Sequence, residues 1–143
     1  MSSPFLARLM VTAVAAGQGI TPLFIDLNRT HATNPLWTGH ARFHVVQQAF
    51  WYPAAAMAEI AMLWLILPGT RSLFYLATLL TALPIAAFLI AVFTRSTYDG
   101  TLHDPNGVRP ARIRIGREIR EIEINIVLII AGAVVLLIAL LIF

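Results

Sequence analysis

The chain has 143 residues, of which 59% are hydrophobic and 12% are charged, with a formal net charge of +3 and a mean hydropathy of +0.79. A soluble domain is about 45–50% apolar, so this composition excludes an ordinary soluble domain and indicates an integral membrane protein. The absence of cysteine excludes disulfides, thiolate metal sites and cysteine nucleophiles.

Four apolar stretches are long enough to cross a membrane, which takes about 20 residues. They cover residues 4–25, 39–67, 72–94 and 122–143. The very short turn between the second and third stretches predicts an antiparallel helical hairpin. We therefore predict an all-α fold in which residues 1–143 form one integral membrane four-helix bundle. The first stretch is expected to be a span rather than a cleaved signal peptide, because its N-terminal region carries only Arg8.

The arginines predict how the bundle is oriented. The connections 26–42 and 95–120 carry eight arginines, whereas the N-terminus and the 68–71 turn carry two. Positive loops stay in the cytoplasm, so both termini are expected on the non-cytoplasmic side of a bacterial inner membrane or its equivalent. Five arginines between Arg109 and Arg120 adjoin an apolar run, a position that favours lipid headgroups over nucleic acid as partner.

The segment before the last span, "RPARIRIGREIREIEIN", alternates charged residues with isoleucine. Arg114 and Glu118, and likewise Arg117 and Glu121, stand four positions apart, as helical ion pairs do. This spacing predicts an amphipathic helical lead into the fourth span, while a strand is left open for "RIRI".

The segment "DLNRTHATNPLWTGHARFH", residues 26–44, concentrates polar side chains in an otherwise apolar chain. Ordinary local structure explains part of this segment. Asp26 and Asn28 can end the first helix, "NP" is a turn signal, and Thr38 can cap the second helix. The same reading puts Trp37 at headgroup depth.

Beyond the loop, polar and aromatic side chains continue along one side of the second span. At about 100° per residue, that arc contains His40, His44, Gln48, Trp51 and Tyr52. We expect the arc to face the interior of the bundle.

Glu59 comes round to the same side, among alanine, methionine and isoleucine. A carboxyl group inside a membrane is costly and usually faces the bundle interior or a wet cavity. We predict that Glu59 is a buried acid; the alternative is an interhelical hydrogen bond to Gln18, Thr78 or Thr81.

Gln18 stands between Gly17 and Gly19, where a neighbouring helix or a ligand can approach closely. These residues together predict a pocket that is polar at its cytoplasmic mouth and apolar below, suited to an amphiphile. The predicted catalytic residues are Asp26, His40, His44 and Glu59, which could move protons. The predicted substrate contacts are Gln18, Asn28, His31, Trp37, Gln48, Trp51 and Tyr52. No cofactor is predicted, and the spacing of His40 and His44 alone is too weak a signal to predict a metal.

The second polar loop, residues 94–109, contains Asp99, His103 and Asp104 among turn signals. We expect either a plain connection or a lid on the same side as residues 26–44.

The stretch "DLNRTHATNPLWTGHARFHVVQQ" resembles a family of small four-span membrane proteins with a D-x-N-x-T-H…NP-x-W-x-x-HARFH motif. More distantly, the chain resembles the emopamil-binding (EXPERA) superfamily, whose four-span cores surround an intramembrane polar cavity. That superfamily includes a sterol double-bond isomerase and non-catalytic lipid-binding relatives, and no residue role is carried over from it.

The expected function is proton-transfer chemistry, an isomerisation or cyclisation, on an isoprenoid- or sterol-like substrate inside the membrane. The alternative is a non-catalytic module that binds or transports a lipid-like molecule. A structural role in an assembly, through the C-terminal "LLIF", and self-association are also left open. The expected partners are a hydrophobic small molecule and the membrane, and not nucleic acid.

Overall fold

The computed structural model describes residues 2–66 and 70–143. Its elements are α1 Ser3–Ile25, α2 Gly39–Trp64, α3 Arg71–Thr94, a 3₁₀ turn Arg95–Thr97, β1 Ala111–Ile115, β2 Glu118–Ile122 and α4 Ile124–Ile142. The four helices lie where the apolar stretches predict them. The predicted end of the second stretch, Leu67, is outside the described residues.

Three helical segments are long and apolar enough to cross a membrane: α1, α4, and Arg71–Thr97, which joins α3 to the 3₁₀ turn. The most apolar is α4, with a mean hydropathy of 3.1. The 26 residues of α2 exceed the length that a span needs. Histidine, arginine and glutamine in its first turns, with Glu59 further on, lower its hydropathy. The chain is therefore mostly helical, with three candidate membrane-spanning helices in its described part.

Small side chains allow α1 and α2 to approach closely. The buried residues of α1 recur at every fourth position, at Ala7, Val11, Ala15 and Gly19. A Cβ atom added to Gly19 would lie 2.7 Å from the Cβ of Ala56 in α2. Small residues at such spacing are what brings helices together in a membrane, where burying apolar side chains gives no driving force.

The segment 111–122 is a β-hairpin, so the all-α prediction and the predicted helical lead into α4 are wrong here. Its two strands pair antiparallel from Ala111↔Ile122 to Ile115↔Glu118. Gly116 makes the turn with a φ of +64°, a conformation that glycine adopts without strain. The alternation of arginine and isoleucine has the period of a strand.

Large apolar side chains cover much of the outer surface. Phe93, Leu65 and Phe24 are at least three-quarters exposed, at 81%, 78% and 75%. The ring of Phe143 instead stacks on Phe74 of α3, with centroids 3.7 Å apart. The end of "LLIF" therefore packs within the chain.

Candidate functional site

A cavity of about 460 Å³ lies between α1, α3 and α4. Its wall extends from Ala13 to Asp26 along α1, about 20 Å at 1.5 Å per residue. The apolar wall includes Val14, Ile85, Phe88, Leu128 and Ile129, and the polar side chains are those of Gln18, Thr21, Asp26, His31, Tyr52 and Asn125. A largely apolar cavity with a few polar groups is the usual form of a small-molecule site.

Asp26 and His31 are the ionisable residues on the cavity wall besides Tyr52. The Nδ1 atom of His31 lies 3.7 Å from Oδ1 of Asp26, and both side chains are largely buried. Burial raises the pKa of the Asp26 carboxyl, and the nearby His31 partly offsets this rise. Asp26 can therefore hold a proton more readily than an exposed aspartate.

The hydrogen bonds of Asn28 and Thr30 determine which nitrogen of neutral His31 carries the hydrogen. The Asn28 amide nitrogen donates to the carbonyls of Phe24 and Ile25, at 2.8 and 2.9 Å, so its Oδ1 must be an acceptor. The Thr30 hydroxyl lies 2.7 Å from that Oδ1 and 3.1 Å from the Ile25 carbonyl oxygen. Both oxygens only accept, so the single hydroxyl hydrogen is donated to one of them.

The Thr30 oxygen is thereby left as an acceptor for Nδ1 of His31, at 2.7 Å. In the neutral ring, Nδ1 is then the donor and Nε2 keeps its lone pair. His31 is thus held in the tautomer whose Nε2 can accept a proton.

Four of the predicted site residues lie on the cavity wall: Gln18, Asp26, His31 and Tyr52. Gly17 also lines the cavity, and a Cβ there would meet nothing within 4 Å, whereas Gly19 packs on α2. Of the two glycines beside Gln18, Gly17 therefore faces the cavity and Gly19 contacts the neighbouring helix.

His40 and His44 do not face the interior, so the expected inward arc is wrong for this pair. Both are exposed, with their Nε2 atoms 3.1 Å apart. The buried face of α2 carries Ala49 and Ala56 instead, about 160–180° around the helix from His40 at 100° per residue. Glu59 and Leu63 are also buried, about 100–140° around the helix from His40. A catalytic role of the two histidines stays a prediction.

Glu59 is buried, as predicted, but it is not on the cavity wall. The Thr81 hydroxyl donates to its Oε2 at 2.9 Å, and Gln18 donates to the Thr81 carbonyl at 3.1 Å. This is the interhelical alternative, and it joins α1, α2 and α3 near the middle of the bundle.

The remaining predicted contacts also lie off the cavity wall. Asn28 binds the carbonyls that end α1. Trp37 places its ring against that of His31, with centroids 5.1 Å apart. Gln48 is exposed and donates to the Tyr52 hydroxyl at 3.2 Å, and Trp51 is 68% exposed.

Sequence reasoning missed Thr21, Phe88 and Asn125 on the wall. Asn125 had a usable signal, since it is the one polar side chain after Glu123 in the most apolar stretch. Phe88 had none, because nothing distinguishes it from the other apolar residues of α3.

The two polar loops meet at one end of the bundle, as expected. The amide nitrogen of buried Asn34 lies 3.2 Å from the Thr30 carbonyl and 3.3 Å from that of Asn106. A Cβ on Gly107 would lie 2.8 Å from the Thr30 carbonyl, and the next residue, Val108, lines the cavity. The second loop therefore contributes Val108 to the cavity wall at this end.

Among the described residues there is no cluster of three or more histidine, cysteine, aspartate or glutamate side chains that could hold a metal ion. No protein-family model matches the chain, and no curated protein or solved structure is detectably similar to it. The function of this chain is therefore to be inferred from the cavity itself.

Proposed function

We propose that this chain is a multi-pass integral membrane enzyme that moves protons on an isoprenoid- or sterol-like molecule held in the cavity. The observation that carries the proposal is the Asp26–His31 pair on the wall of an otherwise apolar cavity. In this proposal α2 is the fourth span, both termini are non-cytoplasmic, and the protein belongs to a bacterial inner membrane or its equivalent.

The chemistry would be an isomerisation or cyclisation without net oxidation. Protonated Asp26 gives its proton to one carbon of a double bond, and Nε2 of His31 removes a proton from a neighbouring carbon. Nε2 of His31 then loses that proton to water, and the Asp26 carboxylate takes one up from water, which restores protonated Asp26 and neutral His31 with its hydrogen on Nδ1. The number of protons on the pair is unchanged after each turnover, so no cofactor is required.

The volume of the cavity supports this substrate class. A site of about 460 Å³ is within the range of about 300–1,000 Å³ typical of small-molecule pockets. The faces of Tyr52 and Phe88 could stabilise positive charge that develops on the hydrocarbon. The resemblance to the emopamil-binding superfamily is consistent with this chemistry and remains a prediction.

The rival proposal is non-catalytic binding of the same class of molecule. It is favoured by the internal hydrogen bond of Gln18 to Thr81, which leaves fewer polar groups free to react. The two proposals differ in whether carbon-bound hydrogen exchanges with water.

The test combines identification of the ligand with deuterium exchange. Lipids that co-purify with the protein are identified by mass spectrometry and returned to it in deuterated buffer. The enzyme proposal predicts deuterium on olefinic or allylic carbons. Asp26→Asn should slow the exchange about a hundredfold or more, as removing a general acid does.

Asp99→Asn is the matched control, because that carboxyl group is exposed and is not on the cavity wall; its exchange should equal that of the unmodified protein. Retained binding with no deuterium in any lipid would contradict the enzyme proposal and favour the binder. The absence of any bound lipid would contradict both.

A further inference from the structure

The β-hairpin carries exposed charge that the cavity does not use. Every residue from Arg112 to Glu121 is exposed. Arg112 pairs with Glu121 at 3.0 Å, and Arg120 pairs with Glu118 at 3.3 Å. The two charges within each pair cancel, so these pairs add no net charge to the hairpin.

Three other arginines here, Arg109, Arg114 and Arg117, form no ion pair or side-chain hydrogen bond within residues 2–66 and 70–143. Of the other acids nearby, Glu123 has its Oε1 2.6 Å from Nδ1 of His103, and Asp104 accepts a hydrogen bond from the Asn106 backbone amide. The hairpin therefore presents unpaired positive charge that favours an anionic partner.

Apolar side chains lie beside these charges. Ile113, Ile115 and Ile119 are 43%, 57% and 64% exposed. The strand register puts Ile113, Ile115 and Ile122 on one face with Glu118 and Arg120. The other face carries Ile119 with Arg112, Arg114 and Glu121, so each face combines isoleucine with arginine. Exposed isoleucine next to arginine is a combination that suits the interface of a bilayer, where hydrocarbon and headgroups are both within reach.

The position of the hairpin selects this partner. Only Glu123 separates β2 from α4, whose mean hydropathy of 3.1 is the highest of the candidate spans. A hairpin joined so closely to a span must stay near the headgroups of the same bilayer. We propose that it lies on the membrane surface and binds the phosphate groups of anionic lipids through its unpaired Arg114 and Arg117, together with Arg109 just before β1. This inference does not depend on what the cavity binds.

The test uses the absence of cysteine from the chain. Ile115→Cys introduces one thiol, which is labelled with an environment-sensitive fluorophore. The full chain is reconstituted into phosphatidylcholine vesicles with or without phosphatidylglycerol. We expect blue-shifted emission and protection from an aqueous quencher in the anionic vesicles, and much less of both in the neutral ones.

Two variants of the labelled chain separate unpaired from paired charge. R109Q/R114Q/R117Q should lower the ratio of bound to free hairpin about a hundredfold, at about fivefold per arginine. R112Q/E121Q keeps the net charge and should keep the response. Equal responses of these variants would overturn the proposal.

The salt dependence of the fluorescence response is a second test, and it needs no substitution beyond the labelled cysteine. Raising it from about 0.1 M to about 1 M shortens the Debye length from about 10 Å to about 3 Å, and should release the label in anionic vesicles. Emission that ignores both lipid charge and salt would overturn the proposal. A fluorescence response to duplex DNA in neutral detergent, with no response to anionic vesicles, would also overturn it.

Discussion

The Asp26 carboxyl group lies largely buried at the end of the first helix, and its Oδ1 is 3.7 Å from Nδ1 of His31. It accepts no side-chain hydrogen bond from any described residue. Burial therefore dominates its electrostatics and favours the protonated form. An aspartate in this state can donate a proton.

This raised pKa predicts how stability depends on pH. The folded chain binds the Asp26 proton more tightly than the unfolded chain, whose pKa is near 3.8. The stabilising contribution is complete below that value and is lost as the pH rises through the higher folded pKa. Asp26→Asn should remove this loss.

The measurement compares the melting temperature of both proteins in nanodiscs as a function of pH. The difference between Asp26→Asn and the unmodified protein should grow as the pH rises above about 4. A constant difference across this range would contradict a raised pKa at Asp26.

At the scale of a helix, the two glycines beside Gln18 have different surroundings, one in the cavity and one against α2. Gly17→Val places its side chain in the cavity and should lower ligand occupancy about tenfold or more, since overpacking costs about 1–3 kcal/mol. The fold should tolerate it, because a Cβ at Gly17 meets nothing within 4 Å. The measurement is the amount of lipid that co-purifies.

Gly19→Ala is the matched comparison and should act on the fold instead. Its Cβ would lie 2.7 Å from that of Ala56 and 3.2 Å from the Cα of Pro53, so α1 and α2 must separate. We expect a loss of about 1–3 kcal/mol in unfolding free energy. The opposite pattern, with Gly17→Val unfolding and Gly19→Ala losing ligand, would contradict the assignment of the two faces.

The helices could be predicted because an apolar run of about 20 residues usually crosses a membrane as an α-helix. The hairpin could not be predicted as readily. Arg114 and Glu118 are four apart, which suits a helical pair, yet in the structure the ion pairs are Arg112–Glu121 across the strands and Arg120–Glu118 within β2. Alternation and helical spacing coexist in this segment, and Gly116 is the residue that decides between them.

For the whole molecule, the proposed topology predicts which ends of the helices share a side of the membrane. Single cysteines at Thr33, Ser72 and Thr101 report on the first loop, the start of α3 and the second loop. A membrane-impermeant maleimide applied from outside intact cells should label only Ser72→Cys. Permeabilised cells, in which all three should react, are the control.

Labelling of Thr33→Cys together with Ser72→Cys would contradict α2 as a span. Labelling of Thr33→Cys and Thr101→Cys without Ser72→Cys would instead reverse the orientation that the arginines predict.

The candidate site was only partly predictable at this scale. The polar segment 26–44 contributes two residues to the cavity wall, Asp26 and His31. The arc of α2 was misleading, because a polar face in a membrane protein need not be the packed face. His40 belongs to the exposed side, while Ala49 and Ala56 pack. The contributions of α3 and α4, such as Phe88 and Asn125, depend on tertiary packing that no local pattern encodes.

The hydrogen bond between the two polar loops bears on the route by which a ligand would reach the cavity. Asn34 ties the two loops together there, whereas Leu128 lines the cavity and is 56% exposed on the flank of α4. That flank faces hydrocarbon if α4 spans the bilayer, so the proposed function predicts that a ligand enters sideways by diffusion in two dimensions. The relevant concentration is then its mole fraction among the lipids, and occupancy falls when inert lipid is added at constant total ligand.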